Sequence, residues 1–214
     1  MRTRLWPLFD LVVRTPRLEL RYPDEALTVA IAELTAEPIH DPATMPFSEP
    51  WTDGPAEHRP RGSLQHIWLR RAQWSPDDWS CMMAVVVDGT VVGVQDIMAK
   101  HFGATKTFGT GSWLTQRVQG QGIGKEMRAA ILHLGFHGLG AERAYTSAYH
   151  DNEPSLGVTR ALGYEPNGDS VEMRRDKADT QLHFVMTRAQ WLTRRRDDIE
   201  IEGLEPCLDL FGLA

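Results

Sequence analysis

The stretch Arg117-Val-Gln-Gly-Gln-Gly-Ile-Gly-Lys-Glu126 constrains this chain more than any other. Its glycines, Gly120, Gly122 and Gly124, stand between an apolar, strand-like run and a helix-like run. Glycine reaches backbone conformations closed to other residues and lets a ligand approach the main chain. A helix beginning just after such a turn presents unpaired N–H groups and the positive end of its dipole. The pattern predicts a pyrophosphate cradle at a helix N-terminus, with a purely structural glycine turn as the alternative. Spacing excludes two common phosphate sites. A P-loop places glycine ahead of Gly-Lys-Ser/Thr with four residues between; here that position is Gln119, and Glu126 follows Lys125. The dinucleotide fingerprint needs a third glycine three residues after the second. That position falls on Lys125 or Met127.

What remains is Gln119-x-x-Gly122-x-Gly124. A second patch is Asn152-Glu-Pro-Ser155-Leu-Gly-Val-Thr-Arg-Ala-Leu-Gly-Tyr164. Asn152 suits a helix cap, Pro154 the first turn and Gly163 the C-terminal stop. A third patch, Thr15-Pro-Arg-Leu-Glu-Leu-Arg21, reads as a strand. By their residues and their order along the chain, the three resemble the GNAT family of N-acetyltransferases. The first is similar to its acyl-CoA pyrophosphate loop and the second to its Asn-x-x-Ser/Ala segment ending at Leu-Gly-Phe/Tyr. The third is similar to the opening strand of the branch that holds the ribosomal-protein N-terminal acetyltransferases. The chain also resembles actinobacterial members of that branch, some associated with succinyl transfer. The resemblance implies an α/β fold: a single mixed, mostly antiparallel sheet, splayed at the acyl-CoA site, with flanking helices.

Composition adds bounds. The 214 residues are expected to form one domain, 1–214, large enough for a full core. With 42% apolar and 24% charged residues, the chain reads as a soluble globular protein. No apolar run approaches the about 20 residues of a membrane span, and Asp10 and Arg14 interrupt the basic N-terminus before a signal-peptide core forms. Cys81 and Cys207 make neither a disulfide framework nor a metal spacing, which points to a reducing cytoplasm and no metal. The net charge of −6 argues against a nucleic-acid partner.

Along the chain, Leu18 and Leu20 alternate with charged residues as a half-buried strand does. A helix follows from Pro23-Asp24-Glu25 to about residue 36. The Pro-rich stretch 37–62 is a loop long enough to suggest function. A short helix is expected at 63–74. Ser80 to Val87 and Val91 to Met98 form a hairpin about Asp88-Gly89. A strand near 109–116 enters the glycine loop, a helix runs from about 122 to 138, a strand spans about 142–149 and a helix 153–162. Runs at 169–176 and 181–188 suggest an antiparallel pair turning at Lys177-Ala-Asp179. Residues 189–196 read as a short helix and Ile199-Glu-Ile-Glu as a strand.

The resemblance implies an acyl-CoA-dependent N-acyltransferase carrying an acetyl or succinyl group to a primary amine of a protein, peptide or small molecule. The donor is acetyl-CoA or succinyl-CoA. It assigns pyrophosphate binding to the main chain of Val118, Gln119, Gly120, Gln121, Gly122, Ile123, Gly124 and Lys125. Pantetheine pairing falls to Ser112, Trp113 and Leu114, with an N–H near Leu114 polarising the thioester carbonyl. Arg117 and Lys125 either add charge there or point to solvent. Asn152 is a cap or a cofactor contact. Where many relatives carry a Tyr proton donor this chain has Thr159, so Ser155 becomes the candidate acid, or merely part of the cap. For the base, His101, His150, Asp151 and Glu172 are candidates, and Glu172 is named because its strand approaches the acceptor side. The loop at 37–62 and the hairpin near 177–180 are expected to build the acceptor site, His40, Asp41, Glu49, Trp51 and Asp53 giving the loop an acidic, aromatic character. A succinyl donor calls for a buried cation, with His101, Lys106 and Arg160 as options. A non-catalytic acyl-CoA-binding module is the competing reading. A homodimer, through pairing of the C-terminal segment, is a further expectation.

Overall fold

The computed structural model describes residues 5–213; the basic Met1–Arg4 stretch lies outside them. The chain forms one open nine-stranded sheet in the order β7-β8-β6-β5-β4-β3-β2-β1-β9. Its strands are β1 (Val12–Arg14), β2 (Glu19–Arg21), β3 (Asp78–Val87), β4 (Thr90–Lys100), β5 (Thr107–Leu114), β6 (Arg143–Tyr149), β7 (Glu165–Arg174), β8 (Lys177–Thr187) and β9 (Glu200–Glu202). Every pairing is antiparallel except β5 with β6, which run parallel.

Helices α1 (Glu25–Leu34) and α2 (Arg59–Ala72) cover one face, where Ile31 and Ile67 pack on Ala84, Val86 and Val94. Asp24 caps α1 by accepting from the Leu27 N–H at 2.9 Å. Arg71 ties the two helices, donating to Glu25, the Pro23 carbonyl and Thr28 while lying over Phe9 and Tyr22. On the other face lie α4 (Ile123–His133) and α5 (Glu153–Leu162), over the main core of Leu20, Met83, Ile97, Phe108, Ile131 and Leu156. Short helices α3 (Phe102–Thr105) and α6 (Arg188–Leu192) complete the set, the latter opened by a Thr187–Gln190 capping box. No helix among the described residues is long and apolar enough to cross a membrane.

The hairpin forms where Asp88-Gly89 predicts it, with φ of 48° and 74° as a two-residue turn of matching twist requires. Several expected boundaries move. Helix α2 starts at Arg59 rather than 63, because Pro60 fits its first turn. β1 is an added strand, short enough to carry no alternation of its own. The helix after the glycine loop becomes a π-helical turn at Leu134–Gly138. β7 starts at Glu165, and its turn to β8 falls at Arg175-Asp176 instead of Lys177–Asp179. Arg175 takes φ of 57°. That conformation, uncommon for a side-chain-bearing residue, is held by a two-pronged ion pair to Asp53 at 2.7 Å and by the Pro42 and Thr44 carbonyls. The C-terminal strand β9 pairs with β1 of its own chain, Val13 opposite Ile201, and so covers a sheet edge.

Gly93 sets how closely β4 approaches the end of β5. A Cβ there would lie 2.2 Å from the Trp113 carbonyl oxygen and 2.9 Å from the Leu114 Cα. Main-chain atoms cannot swing aside as a side chain does. Gly93→Ala is therefore expected to lower stability by about 3 kcal/mol or more, read as a fall in the urea midpoint; an unchanged midpoint would refute the close approach.

Candidate active site

The glycine loop runs from the end of β5 to the first turn of α4. Gly120 and Gly122 take φ of 74° and 83°, the left-handed region that their lack of a side chain opens. The N–H groups of Gly120, Gln121, Gly122, Ile123 and Gly124 have no acceptor among the described residues. They line the N-terminus of α4, where partial positive charge gathers. The N–H groups of Val118, Gln119 and Lys125 are turned inward, to the carbonyls of Thr115, Gln116 and Gly122. The Gln119 side chain is a staple, donating at 2.8 Å to the carbonyls of both Ile39 and Leu114. Gln121 donates to the Arg117 carbonyl, and Arg117 pairs with Glu37 at 3.1 Å, while Lys125 is exposed.

The Thr15-Pro-Arg17 patch anchors this loop. Glu126, buried in the first turn of α4, accepts from the Thr15 hydroxyl at 2.6 Å and from the Arg17 Nε at 2.5 Å. Burial alone would raise the Glu126 pKa; the bonds from Thr15 and Arg17, with the Arg17 charge, outweigh it and hold the carboxylate below its ordinary range. Arg17 also donates to the Gln121 carbonyl at 3.1 Å.

Beside the loop the sheet opens. β5 and β6 pair only at Thr107–Arg143, Phe108–Ala144 and Gly109–Tyr145, then diverge. The Thr115 N–H bonds the Val92 carbonyl at 3.0 Å. By antiparallel alternation, the main chains of Gly111 and Trp113 face β4, and those of Thr110, Ser112 and Leu114 face the opening. Ser112 and Leu114 thus offer N–H groups to it, whereas Trp113 contributes its ring to the opposite side. α5 flanks the loop: a Cβ on Gly124 would meet Val158 at 3.5 Å and Leu114 at 3.9 Å. The Asn152 side chain caps α5 by accepting from the Ser155 N–H at 3.2 Å. The half-buried Ser155 hydroxyl makes no hydrogen bond among the described residues, while Thr159 is buried and spends its hydroxyl on the Ser155 carbonyl at 2.9 Å.

Arg128, in the second turn of α4, is not singled out by its sequence pattern. It is 4% exposed and bridges the diverging strands, donating to Thr146 of β6 at 3.0 Å and Ser112 of β5 at 3.1 Å. A signal existed: Arg128 stands three residues before Ile131, on a side of the helix that periodicity assigns to the core. The cations named instead lie elsewhere. His101 and Lys106 flank α3 at the closed end of β5, and Arg160 is an exposed partner of Glu153.

On the α1/α2 face the expected loop and hairpin do meet. Arg174 reaches the Met45 carbonyl, Asp151 and Asp179, Arg175 holds Asp53, and Gln181 donates to Ser48. His40, Phe47, Trp51 and Trp113 form a row of ring contacts 5.1–5.7 Å apart between centroids. Much of the loop's acidity is spent internally: Arg175 neutralises Asp53, and Asp41 accepts from the Ala43 N–H. His150 and Asp151 belong to the Arg174–Asp179 network. Glu172 is not brought to the opening. It is exposed on the outermost strand β7, with β8 and β6 between, about 10 Å of sheet, and accepts from Ser170 at 2.9 Å. Asp96 of β4 is nearer. It sits opposite Gly111, which puts no side chain between it and β5, and Ser80 donates to it at 2.8 Å.

A family model described as an acetyltransferase (GNAT) domain matches residues 17–165, more than half of the chain. The chain belongs to the GNAT acetyltransferase family. Solved GNAT structures share the fold. Mycobacterium smegmatis RimJ in complex with CoA-disulfide superposes with a TM-score of 0.68 at 18% identity, covering 91% of this chain and 98% of that one. RimL, a ribosomal L7/L12 alpha-N-protein acetyltransferase in complex with coenzyme A, gives 0.65 at 20% identity over 82% and 97%. A GNAT-family acetyltransferase from Bacillus anthracis gives 0.63 at 17% over 83% and 99%. Coenzyme A, which the family implies, fits the residues present: a run of N–H groups lacking acceptors at a helix N-terminus leads into an unpaired strand edge.

Burial drives the Asp96 carboxyl up to about 7, offset only in part by Ser80, the Arg70 charge and the Ile97 N–H. A group whose folded pKa exceeds its unfolded one favours the fold at low pH, and that contribution is lost as pH rises through about 4 to 7. Asp96→Asn is expected to gain on the wild type by about 2–4 kcal/mol between pH 4.5 and pH 8 in urea titrations at both values. Parallel behaviour at the two would show that Asp96 is ionised throughout.

Proposed function

We propose that this GNAT protein is an acyl-CoA-dependent N-acyltransferase whose acceptor is a primary amine on a protein or peptide. The observation that carries the reading is the continuity of the glycine loop with the open edge of β5. Acyl-CoA supplies an acyl group, acetyl or succinyl, activated as a thioester. The N–H groups of Gly120 to Gly124 hold the pyrophosphate, with Val118, Gln119 and Lys125 shaping the turn. Ser112 and Leu114 align the pantetheine arm as an added strand would lie, and an N–H of this edge polarises the thioester carbonyl. Fixing the donor in this way removes much of the entropic barrier to transfer.

The acceptor enters from the α1/α2 face, between the Phe47–Trp51–Trp113 row and the Tyr149–Arg174 pair, whose guanidinium lies 4.4 Å from the ring centre. RimL, named for an alpha-amino group of a ribosomal protein, makes a peptide α-amine the first acceptor to try. Transfer breaks the C–S bond, forms a C–N bond and moves one proton from the amine to the departing sulfur. Ser155 is the donor toward sulfur, since its hydroxyl is uncommitted while that of Thr159 is engaged. Asp96, poised near neutrality, is better placed than Glu172 to receive the amine proton through water. The committed Thr159 hydroxyl also supports a second reading, an acyl-CoA-binding module without efficient turnover.

The test is steady-state transfer from acetyl-CoA and succinyl-CoA to peptides with free α-amines, peptides with only a lysine amine, and small amines. Turnover on a peptide α-amine is expected. Donor binding with no turnover on the whole panel would favour the binding module. Ser155→Ala should lower kcat about tenfold or more with little change in the donor KM. Gly122→Val, which places a branched side chain at φ of 83°, should abolish donor binding.

A further inference from the structure

The C-terminal stretch 197–214 carries six carboxylates and no lysine, arginine or histidine. Asp197, Asp198 and Glu202 pair with Arg195, Arg196 and Arg14, whereas Glu200 and Glu205 make no ion pair among the described residues. These two line a groove of about 600 Å³ between β9, residues 204–208 and the π-helical turn that follows α4. Its floor is apolar, from Ile199, Ile201, Leu204 and Leu208. Its wall includes His133, 3% exposed, whose Nδ1 has no partner among the described residues and whose ring centre lies 4.8 Å from that of His137. Burial, with His137 beside it, lowers the His133 pKa to about 4, so the ring is neutral. A buried polar atom without a partner is uncommon in a finished interior. The groove also borders a free strand edge. Tyr22 donates to the Leu11 carbonyl and Thr15 to that of Leu18, so Val13 between them turns its main chain to β2. By alternation Val12 and Arg14 bond Glu202 and Glu200, and the Ile201 N–H and carbonyl point away from β1.

We propose that this groove docks an extended, basic segment of another protein, added as a strand beside β9. Main-chain bonds to Ile201 fix its register, and its apolar side chains lie on the groove floor. Its arginines or lysines meet Glu200 and Glu205, and a donor from the segment answers His133. A second copy of this chain brings the same carboxylates to the contact and is repelled. β9 lies five strands from β5, about 24 Å across the sheet, so the docked segment leaves the β5–β6 opening free. The proposal does not depend on which acyl donor or acceptor is used.

Fluorescence anisotropy with two labelled peptides tests this, one alternating valine with arginine and the other valine with glutamate. Both have blocked N-termini, so neither offers an amine for transfer. The arginine peptide is expected to bind and the glutamate peptide not to. Glu200→Arg combined with Glu205→Arg should weaken binding about tenfold or more, while Glu33→Arg, an exposed change on α1, alters it less than about twofold. Bound arginine peptide should also slow hydrogen exchange at the Ile201 amide about tenfold or more. Thermal unfolding checks that the variants are folded, and the exchange measurement stands without them. Failure of the arginine peptide to bind, equal binding of both peptides, indifference to the paired charge reversal, or an Ile201 amide that exchanges at its free rate overturns the proposal. A wild-type dimer that the peptide dissociates gives the groove to a second copy and overturns it too.

Discussion

The short parallel contact between β5 and β6 is the constraint on which the site depends. The two strands share three residue pairs and then part, although β6 remains fully paired with β8 and β5 with β4. Each strand stays paired with its outer neighbour past that point, so the divergence leaves main-chain donors and acceptors facing a gap. Unpaired main-chain groups away from water are costly, and the gap is therefore predisposed toward an extended polar ligand. The side chains beneath it accept the same geometry. Arg128 spans the two strands, donating to Ser112 on one and to Thr146 on the other.

The acceptor side depends on that arrangement through Trp113. Its main chain belongs to the β4 ladder, and its ring carries the row that continues through Trp51 and Phe47. The Pro-rich segment, short of regular hydrogen bonds of its own, is fixed by cations from elsewhere: Arg174 and Arg175 from the hairpin and Arg117 from the glycine loop. Donor loop, acceptor loop and hairpin are linked by these guanidinium groups.

Much of this was legible in the sequence because it is locally encoded. Asp88-Gly89 fixes one turn, Asn152 and Gly163 bound one helix, and Gly120 and Gly122 mark the positive-φ turn. What escaped reading depends on residues distant in sequence. The turn at Arg175 is held by Asp53, and no local pattern announces it. Arg128 reads as one more polar residue of an amphipathic helix until the strands around it are placed. Glu172 was named because its strand approaches the acceptor side; the strand order sets it at the sheet's margin and puts Asp96 closer.

The bond set among Thr15, Arg17 and Glu126 carries a consequence for how the molecule assembles. Arg17 simultaneously answers the charge on α4 and braces the loop at Gln121. A segment near the start of the chain thereby completes a structure more than a hundred residues later. The phosphate cradle is consequently not an autonomous strand–turn–helix unit. Its completion requires a segment more than a hundred residues away to be in place, so the cradle carries the closure entropy of a long loop and donor binding is tied to the integrity of the whole sheet rather than to one local motif.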